Sequence, residues 1–367
     1  MSSWTLVSSS LKELVPYEPG KPIDDVAREM GLAPESIIKL ASNENPLGPS
    51  PLAVAAIQKA LATSHIYPDG GTFHLSTALA KKTGVEKNRV VLGNGSNEIL
   101  ELIYHAFTRP GTGNVVASQY AFVVYKLQAQ LFDVKMIEVP SKSFGHDLDA
   151  MHAAITPETR VVFITNPNNP TGTRLSNDAL YNFIKSVPES LIIALDEAYY
   201  EFMTDAPPSI EWTMKHPNLI VLRTFSKIQG LAGLRIGYAI THPDTANILQ
   251  RCRQPFNVNA LAQAGALASL EDDNHPARTV KMTHEGMKNL ITLCKKLKLD
   301  YVPSEANFLM IRVGDGDQIF KQLMQQGIII RALKPYQLPE WIRVTIGTPE
   351  QMNRFSTALE QLLSQPS

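Results

Sequence analysis

The sequence predicts an α/β domain, built on a largely parallel sheet covered on both faces, joined to a smaller α+β domain. Three observations predict it. Short apolar runs rich in β-branched residues recur at Val90–Leu92, Asn114–Ala117, Arg160–Thr165, Leu191–Leu195 and Leu219–Leu222. Runs without polar alternation fit strands buried on both faces. Helical stretches lie between them, and strand–helix–strand repetition is the pattern of a parallel sheet. After about Pro255 that alternation stops and a different order of elements begins.

In chain order, Val90–Leu92 runs into Gly93-Asn94-Gly95, and Ser96–Phe107 then places Ile99, Leu102, Ile103 and Phe107 on one helical face. Asp147–Ile155 and Asn177–Lys185 are shorter helices. The C-terminal part reads as a long helix (Pro276–Leu297), a strand (Phe308–Arg312), a helix (Asp317–Gln326) and strands at Ile328–Ile330 and Ile342–Ile346. In the last helix Thr348 caps, Pro349 takes the first position and Gln351 closes a capping box. Met352, Phe355, Leu359 and Leu362 form its apolar face. The expected division is a large domain over 45–255 and a small one made of 1–44 and 256–367, with the N-terminal arm packed on the latter.

The chain has 367 residues, 34 of them basic and 35 acidic. That balance gives no electrostatic case for binding nucleic acid or an anionic membrane. Cys252 and Cys294 cannot supply a disulfide framework or a cysteine-rich zinc site, and no metal site is expected. No apolar run approaches the ~18 residues of a membrane span, and the N-terminus lacks the pattern of a secretory signal. A soluble, cytoplasmic protein is expected.

Five features carry chemistry. Gly93-Asn94-Gly95-Ser96-Asn97 turns a strand into a helix; unpaired N–H groups at a helix start suit a phosphate, although an ordinary turn capped by Ser96 reads the same residues. Asn166-Pro167-Asn168-Asn169-Pro170-Thr171-Gly172 follows another strand, at the sheet edge where open α/β sheets bind ligands. Asp196 ends a run of five apolar residues, Leu191–Leu195, so it is expected to be partly buried and to need a partner, a protonated ring nitrogen or a cap. Lys227, just past Leu219–Leu222, is placed to lose solvent; a desolvated lysine becomes a nucleophile toward aldehydes. Ser226 and Arg235, on either side, can take a dianionic phosphate.

These motifs, GNGSNE, NPNNPTG, DEAY and SKIQGLAGLRIGY in this order, resemble the fold-type-I pyridoxal-phosphate aminotransferases. Asn43-Glu44-Asn45-Pro46-Leu47-Gly48, Tyr67-Pro68-Asp69 and Arg331…Ile342-Arg343-Val344-Thr345 narrow the resemblance to histidinol-phosphate aminotransferases. The resemblance runs through essentially the whole chain. It implies a three-layer α/β fold, with a mostly parallel seven-stranded sheet in the large domain and a smaller α+β domain. It implies that pyridoxal 5′-phosphate is carried as an imine on Lys227, with Asp196 on the pyridine nitrogen and Tyr199 and Asn169 on the ring hydroxyl. Ser96, Asn97, Ser226 and Arg235 would hold the phosphate. Phe122 would stack on the ring, with Tyr120 as the alternative. Tyr17, Arg331 and Arg343 would bind substrate, and Tyr67 would reach the partner's site in a homodimer.

The expected reaction passes the amino group of L-histidinol phosphate to 2-oxoglutarate, giving imidazole-acetol phosphate and glutamate, a step of histidine biosynthesis. Aromatic aminotransferases and threonine-phosphate decarboxylases share the same frame and stay open at this point.

Overall fold

The computed structural model describes residues 2–17 and 20–364. Thirteen strands occur in the order β1 (Ile38–Lys39), β2 (Val90–Gly93), β3 (Asn114–Ser118), β4 (Lys135–Val139), β5 (Thr159–Thr165), β6 (Ile192–Asp196), β7 (Leu219–Thr224), β8 (Gly237–Ile240), β9 (Tyr301–Val302), β10 (Phe308–Arg312), β11 (Ile328–Ile329), β12 (Arg331–Ala332) and β13 (Trp341–Thr345). The central sheet has seven strands in the order β2-β8-β7-β6-β5-β3-β4. All its pairings are parallel except those of β8, which runs antiparallel to both β2 and β7.

The absence of polar alternation in these strands follows from their two covered faces. Along β5, Val161 and Phe163 join a core with Ile99, Leu102 and Ile103 of the helix Ser96–Phe107. Val162 and Ile164 point the other way, into a core with Met151, Leu180 and Phe183 from the helices Leu148–Ala153 and Asn177–Ser186. In β6, Ile192 and Ala194 divide from Ile193 and Leu195 in the same manner. The result is helix, sheet, helix. The C-terminal ends of β5, β6 and β7 lie side by side, which brings Thr165, Asp196 and the turn after Thr224 to one edge.

The small domain is built on a four-stranded antiparallel sheet, β12-β13-β10-β9, against the helices Asn274–Lys296, Gly316–Gln325 and Pro349–Ser364. The capping box at the last helix is formed: Thr348 N–H donates to Gln351 Oε1 (2.9 Å) and Gln351 N–H to Thr348 Oγ1 (3.3 Å). The N-terminal arm packs here from Ile23 onward, whereas its first α-helix, Ser9–Glu13, lies against the helix Val124–Leu131 of the large domain. β1 pairs in parallel with β11, and Val26, Ala27, Ile37 and Ala41 share a core with Met324 and Ile329.

Three sequence expectations are adjusted. Ile328–Ile330 is not one strand: the chain leaves β1 after Ile329 and joins the other sheet at Arg331. The central-sheet strands β4 and β8, and the two-residue strands β1, β9 and β12, add to those the sequence pattern predicts. The change of pattern after Pro255 precedes the change of core, since Val258, Ala262 and Ala266 still pack with Val90, Leu92 and Ile240 of the central sheet. The small-domain core takes over along Asn274–Lys296, through Met287, Leu290 and Leu293.

Gly230 shows how tightly the seam is built. Its φ is +68°, and a Cβ there would lie 2.2 Å from the Gly48 carbonyl oxygen. Gly31 has nearly the same φ, +67°, with nothing within 4 Å of the same position. Gly31→Ala should therefore cost only the left-handed backbone penalty, about 1–2 kcal/mol. Gly230→Ala adds a main-chain collision and should lower the unfolding midpoint clearly further. Chemical denaturation of the two variants checks this; equal losses would show that the Gly48–Gly230 approach is not a constraint.

Candidate active site

The loop after β7 is folded back on itself. Ser226 N–H donates to Thr224 Oγ1 (3.1 Å), Gly230 N–H to the Lys227 carbonyl (3.1 Å), and Leu231 N–H to the Phe225 carbonyl (3.0 Å). Asn45 Nδ2 ties the loop to the small domain by donating to the Ile228 carbonyl (2.9 Å) and to Thr279 Oγ1 (3.0 Å). Lys227 is thereby aimed into a cavity of about 390 Å³. Its Nζ donates to the Ser42 carbonyl at 3.0 Å. Burial, helped by the positive Arg343 and Arg235, lowers its pKa to about 8. Near neutrality a useful fraction of this amine is unprotonated, as a nucleophile or proton carrier requires.

Asp196 lines the same cavity at the end of β6 and is 3% exposed. Desolvation raises its pKa to about 6, and two donors counter this. The Tyr125 hydroxyl donates to Oδ2 (3.0 Å) and the Ala198 N–H to Oδ1 (3.2 Å). Tyr125 is fully buried, its ring is stacked on Phe163 at 4.7 Å, and its hydroxyl also meets Thr165 Oγ1 at 2.7 Å. A carboxylate held this way can meet a cationic ring nitrogen without itself being lost to protonation. Behind it, Glu197 and Arg223 form a buried pair at 2.9 Å, with the guanidinium 3.4 Å above the Tyr200 ring. That pair joins β6 to β7 and fixes Asp196 relative to Lys227.

At one end of the cavity, Ser96 and Asn97 begin the helix that follows β2. Gly95, at φ +78°, is the residue before the helix, and no side chain caps the helix start. The N–H groups of its first turn are therefore aimed outward, as an anion site needs. Glycine is required on both sides: a Cβ on Gly95 would sit 2.5 Å from Arg235 Nη2, and one on Gly237 2.4 Å from Ser96 N. Ser226 and Arg235 complete this end. Phe122 lies on the cavity wall, whereas Tyr120 packs beside Phe144 at 6.0 Å.

At the other end are Tyr17, Arg331, Tyr336 and Arg343. Arg343 is buried; it donates to the Ala41 carbonyl and to Asn169 Oδ1, and its Nε has no partner among the described residues. Asn169 thus spends its carbonyl on Arg343 and has its Nδ2 hydrogens to offer. The Arg331 guanidinium lies 5.7 Å from the Tyr17 ring. Tyr199 lines the middle of the cavity, its phenol pushed up to about 12 by burial.

The cavity therefore gathers Tyr17, Ser96, Asn97, Phe122, Asn169, Asp196, Tyr199, Ser226, Lys227, Arg235, Arg331 and Arg343. Tyr67 lies outside it, 79% exposed and stacked on Phe256 at 4.7 Å. Sequence reasoning missed Tyr125, Thr165 and Tyr336, because each acts through a partner distant in the chain or sits in a stretch with no motif. Glu44 also lines the cavity; it stands within the Asn43–Gly48 stretch, where sequence reasoning gave that side chain no role.

In cofactor-free protein, the lowered pKa of Lys227 sets when its amine reacts. Labelling of Lys227 by an aldehyde with reductant should reach half its plateau near pH 8, while exposed lysines continue to gain up to about pH 10. Mass spectrometry of peptides over pH reads this directly; a Lys227 profile matching the exposed lysines would contradict the desolvated amine.

Three comparisons bear on this site. The family model for aminotransferase class I and II matches residues 35–359. A histidinol-phosphate aminotransferase of Akkermansia muciniphila is 47% identical over 99% of this chain and 100% of its own length. One from Nitrosococcus oceani is 46% identical over 99% and 98%. Among solved structures, histidinol-phosphate aminotransferase from Sinorhizobium meliloti, in complex with pyridoxal-5′-phosphate, superposes with a TM-score of 0.88 at 27% identity, covering 97% of both chains. A buried lysine opposite a buried carboxylate, in the fold those proteins share, agrees with what the motifs imply: the chain belongs to the class I and II aminotransferase family.

Proposed function

We propose that the protein is a pyridoxal 5′-phosphate-dependent transaminase acting on L-histidinol phosphate and 2-oxoglutarate, giving imidazole-acetol phosphate and L-glutamate by a ping-pong course. The observation that carries this reading is the Lys227 amine, desolvated in one cavity that also holds an uncapped helix start beside Arg235 and the pair Arg331 and Arg343. Relatives that match over almost their whole length bear the name of this activity.

The residues fit the cofactor. The uncapped helix start at Ser96 and Asn97, with Ser226 and Arg235 on the same cavity, suits a phosphate. When bound, pyridoxal 5′-phosphate supplies an electron sink for a negative charge developing at the substrate's Cα. Asp196 would keep the ring nitrogen cationic. Phe122 would stack on the ring; it offers an aromatic face without a hydroxyl. Tyr199 and Asn169 Nδ2 would donate to the ring oxygen, and Ser96, Asn97, Ser226 and Arg235 would hold the phosphate. Lys227 Nζ would hold the cofactor and move the proton at the substrate's Cα.

Histidinol phosphate has no carboxylate and carries a phosphate ester instead. Arg331 and Arg343, with Tyr17, take that phosphate, and the same arginines take the carboxylates of 2-oxoglutarate in the second half-reaction. Tyr67 stacks on Phe256 and both are exposed, as are Leu61, Ile66 and Phe73 of the same stretch of chain, apolar side chains suited to burial against a second copy. The active form is a homodimer in which Tyr67 joins Tyr17, Arg331 and Arg343 of the partner's site around the substrate's phosphate. Among the described residues no helix is long and apolar enough to cross a membrane, and the enzyme works in the cytoplasm.

Borohydride should fix the cofactor on Lys227, and Lys227→Ala should still bind it while turnover falls by at least the roughly 10²–10⁴-fold typical of lost acid–base catalysis. Near-normal turnover in that variant would end the assignment.

Removing one partner of a desolvated charge pair costs about 2–5 kcal/mol. Arg331→Ala should therefore lower kcat/KM for histidinol phosphate by roughly 30- to several-thousand-fold. Phenylalanine should suffer much less, because Arg343 alone can pair with a carboxylate. Equal losses for both substrates would favour a general aromatic aminotransferase. Dimers mixed from Tyr67→Phe and Lys227→Ala subunits should contain one intact site and exceed the sum of the parents; no such gain would place Tyr67 outside the shared site.

A further inference from the structure

Asn43 opens the Asn43–Gly48 stretch and has none of the roles assigned above. It is 1% exposed, and its backbone is left-handed, φ +56°. Asparagine enters that region more readily than other residues with a Cβ. Its N–H donates to Thr345 Oγ1 (3.0 Å), and Thr345 Oγ1 donates to its Oδ1 (3.1 Å). Its carbonyl accepts from Asn307 Nδ2 (3.1 Å), and its own Nδ2 donates to the Tyr199 hydroxyl oxygen (2.9 Å). Thr345 ends β13 and Asn307 precedes β10, both in the small domain, whereas Tyr199 follows β6 in the large one.

This pattern gives the direction of the amide. In a flipped Asn43 both its N–H and its Nδ2 would face the Thr345 hydroxyl, and the hydroxyl proton would lose its acceptor, Oδ1. With Nδ2 toward Tyr199, the phenol oxygen accepts from Asn43, and its own proton is left to point elsewhere. Tyr199 lines the cavity, so the cavity is where a donor is wanted. An accepted hydrogen bond also strengthens the one that the same hydroxyl gives.

We propose that Asn43 is a positioning residue: by donating into the Tyr199 oxygen it sets the phenol as a hydrogen-bond donor toward the cofactor's ring oxygen, and through Thr345 and Asn307 the small domain sets the aim of that donor. The inference rests on Tyr199 facing the cofactor ring, as proposed above.

The test uses the cofactor-loaded protein and reads the pH midpoint of its visible absorbance and its cofactor dissociation constant. Asn43→Gly keeps the left-handed backbone and removes the donor. Asn43→Asp keeps the shape and replaces the donor with an acceptor. Tyr199→Phe is the reference. Losing a donor to an anionic ring oxygen makes the neighbouring nitrogen hold its proton more tightly, so all three variants should move the midpoint upward. The expected shift is about one pH unit, with cofactor binding weakened roughly five- to tenfold, as for one ordinary hydrogen bond. Asn43→Asp should shift at least as far as Asn43→Gly. If Asn43→Gly does not fold, Asn43→Asp and Thr345→Val, which frees the amide from its orienting hydroxyl, carry the same reading. If Tyr199→Phe shifts the midpoint and the Asn43 variants lower only the unfolding temperature, Asn43 is structural and this inference falls while the role of Tyr199 stands. If Tyr199→Phe leaves the midpoint unmoved, the role of Tyr199 falls and the inference with it.

Discussion

The bond from Lys227 Nζ to the Ser42 carbonyl holds a lysine amine out of water at the C-terminal edge of the sheet, and the site is arranged around it. A buried ammonium is unfavourable, so burial brings its pKa to about 8 instead of the 10.5 of an exposed lysine. That shift needs walls. They come from three parts of the chain: the loop after β7, the N-terminal arm at Ser42–Asn45, and the small domain behind the arm. Gly230 against Gly48 and Asn45 against Ile228 are the contacts that press these parts together. The lysine's reactivity is thus a property of how the domains meet.

In the proposed function Asp196 has the opposite need. To face a ring nitrogen it would have to be buried and still remain ionised. Burial alone would protonate it; Tyr125 and the Ala198 N–H act against that. The Glu197–Arg223 pair contributes rigidity on the far side. Such buried pairs are weak sources of stability, but removing one partner strands a charge. Here the pair spans the two strands that deliver Asp196 and Lys227, so its geometry is the geometry of the site.

Much of this was legible in the sequence because it is local. β3, β5, β6 and β7 are apolar runs, and the turn after Gly93, the Asn169 loop and the Lys227 loop each carry glycine, proline or hydroxyl residues for reasons of backbone geometry. Arg331 and Arg343 were found only through family likeness, since nothing in their immediate neighbours marks them. β4 was missed because, as an edge strand with exposed Lys135 and Glu138, it has no continuous apolar signal. β8 was hidden within the Gly237–Ile240 tail of the lysine motif, and its antiparallel insertion between β2 and β7 is a fact of topology. Tyr125 with Asp196 and Asn43 with Tyr199 are long-range pairs that no spacing rule connects. The break after Pro255 misled because a change of pattern need not coincide with a change of core.

If this site moves an amino group from histidinol phosphate, a single half-reaction shows it. The cofactor-loaded protein is mixed with histidinol phosphate and no keto acid. The visible absorbance should bleach, one equivalent of imidazole-acetol phosphate should form per site and no more, and adding 2-oxoglutarate should restore the colour with release of glutamate. An unchanged spectrum with histidinol phosphate, alongside full bleaching by phenylalanine, would contradict it.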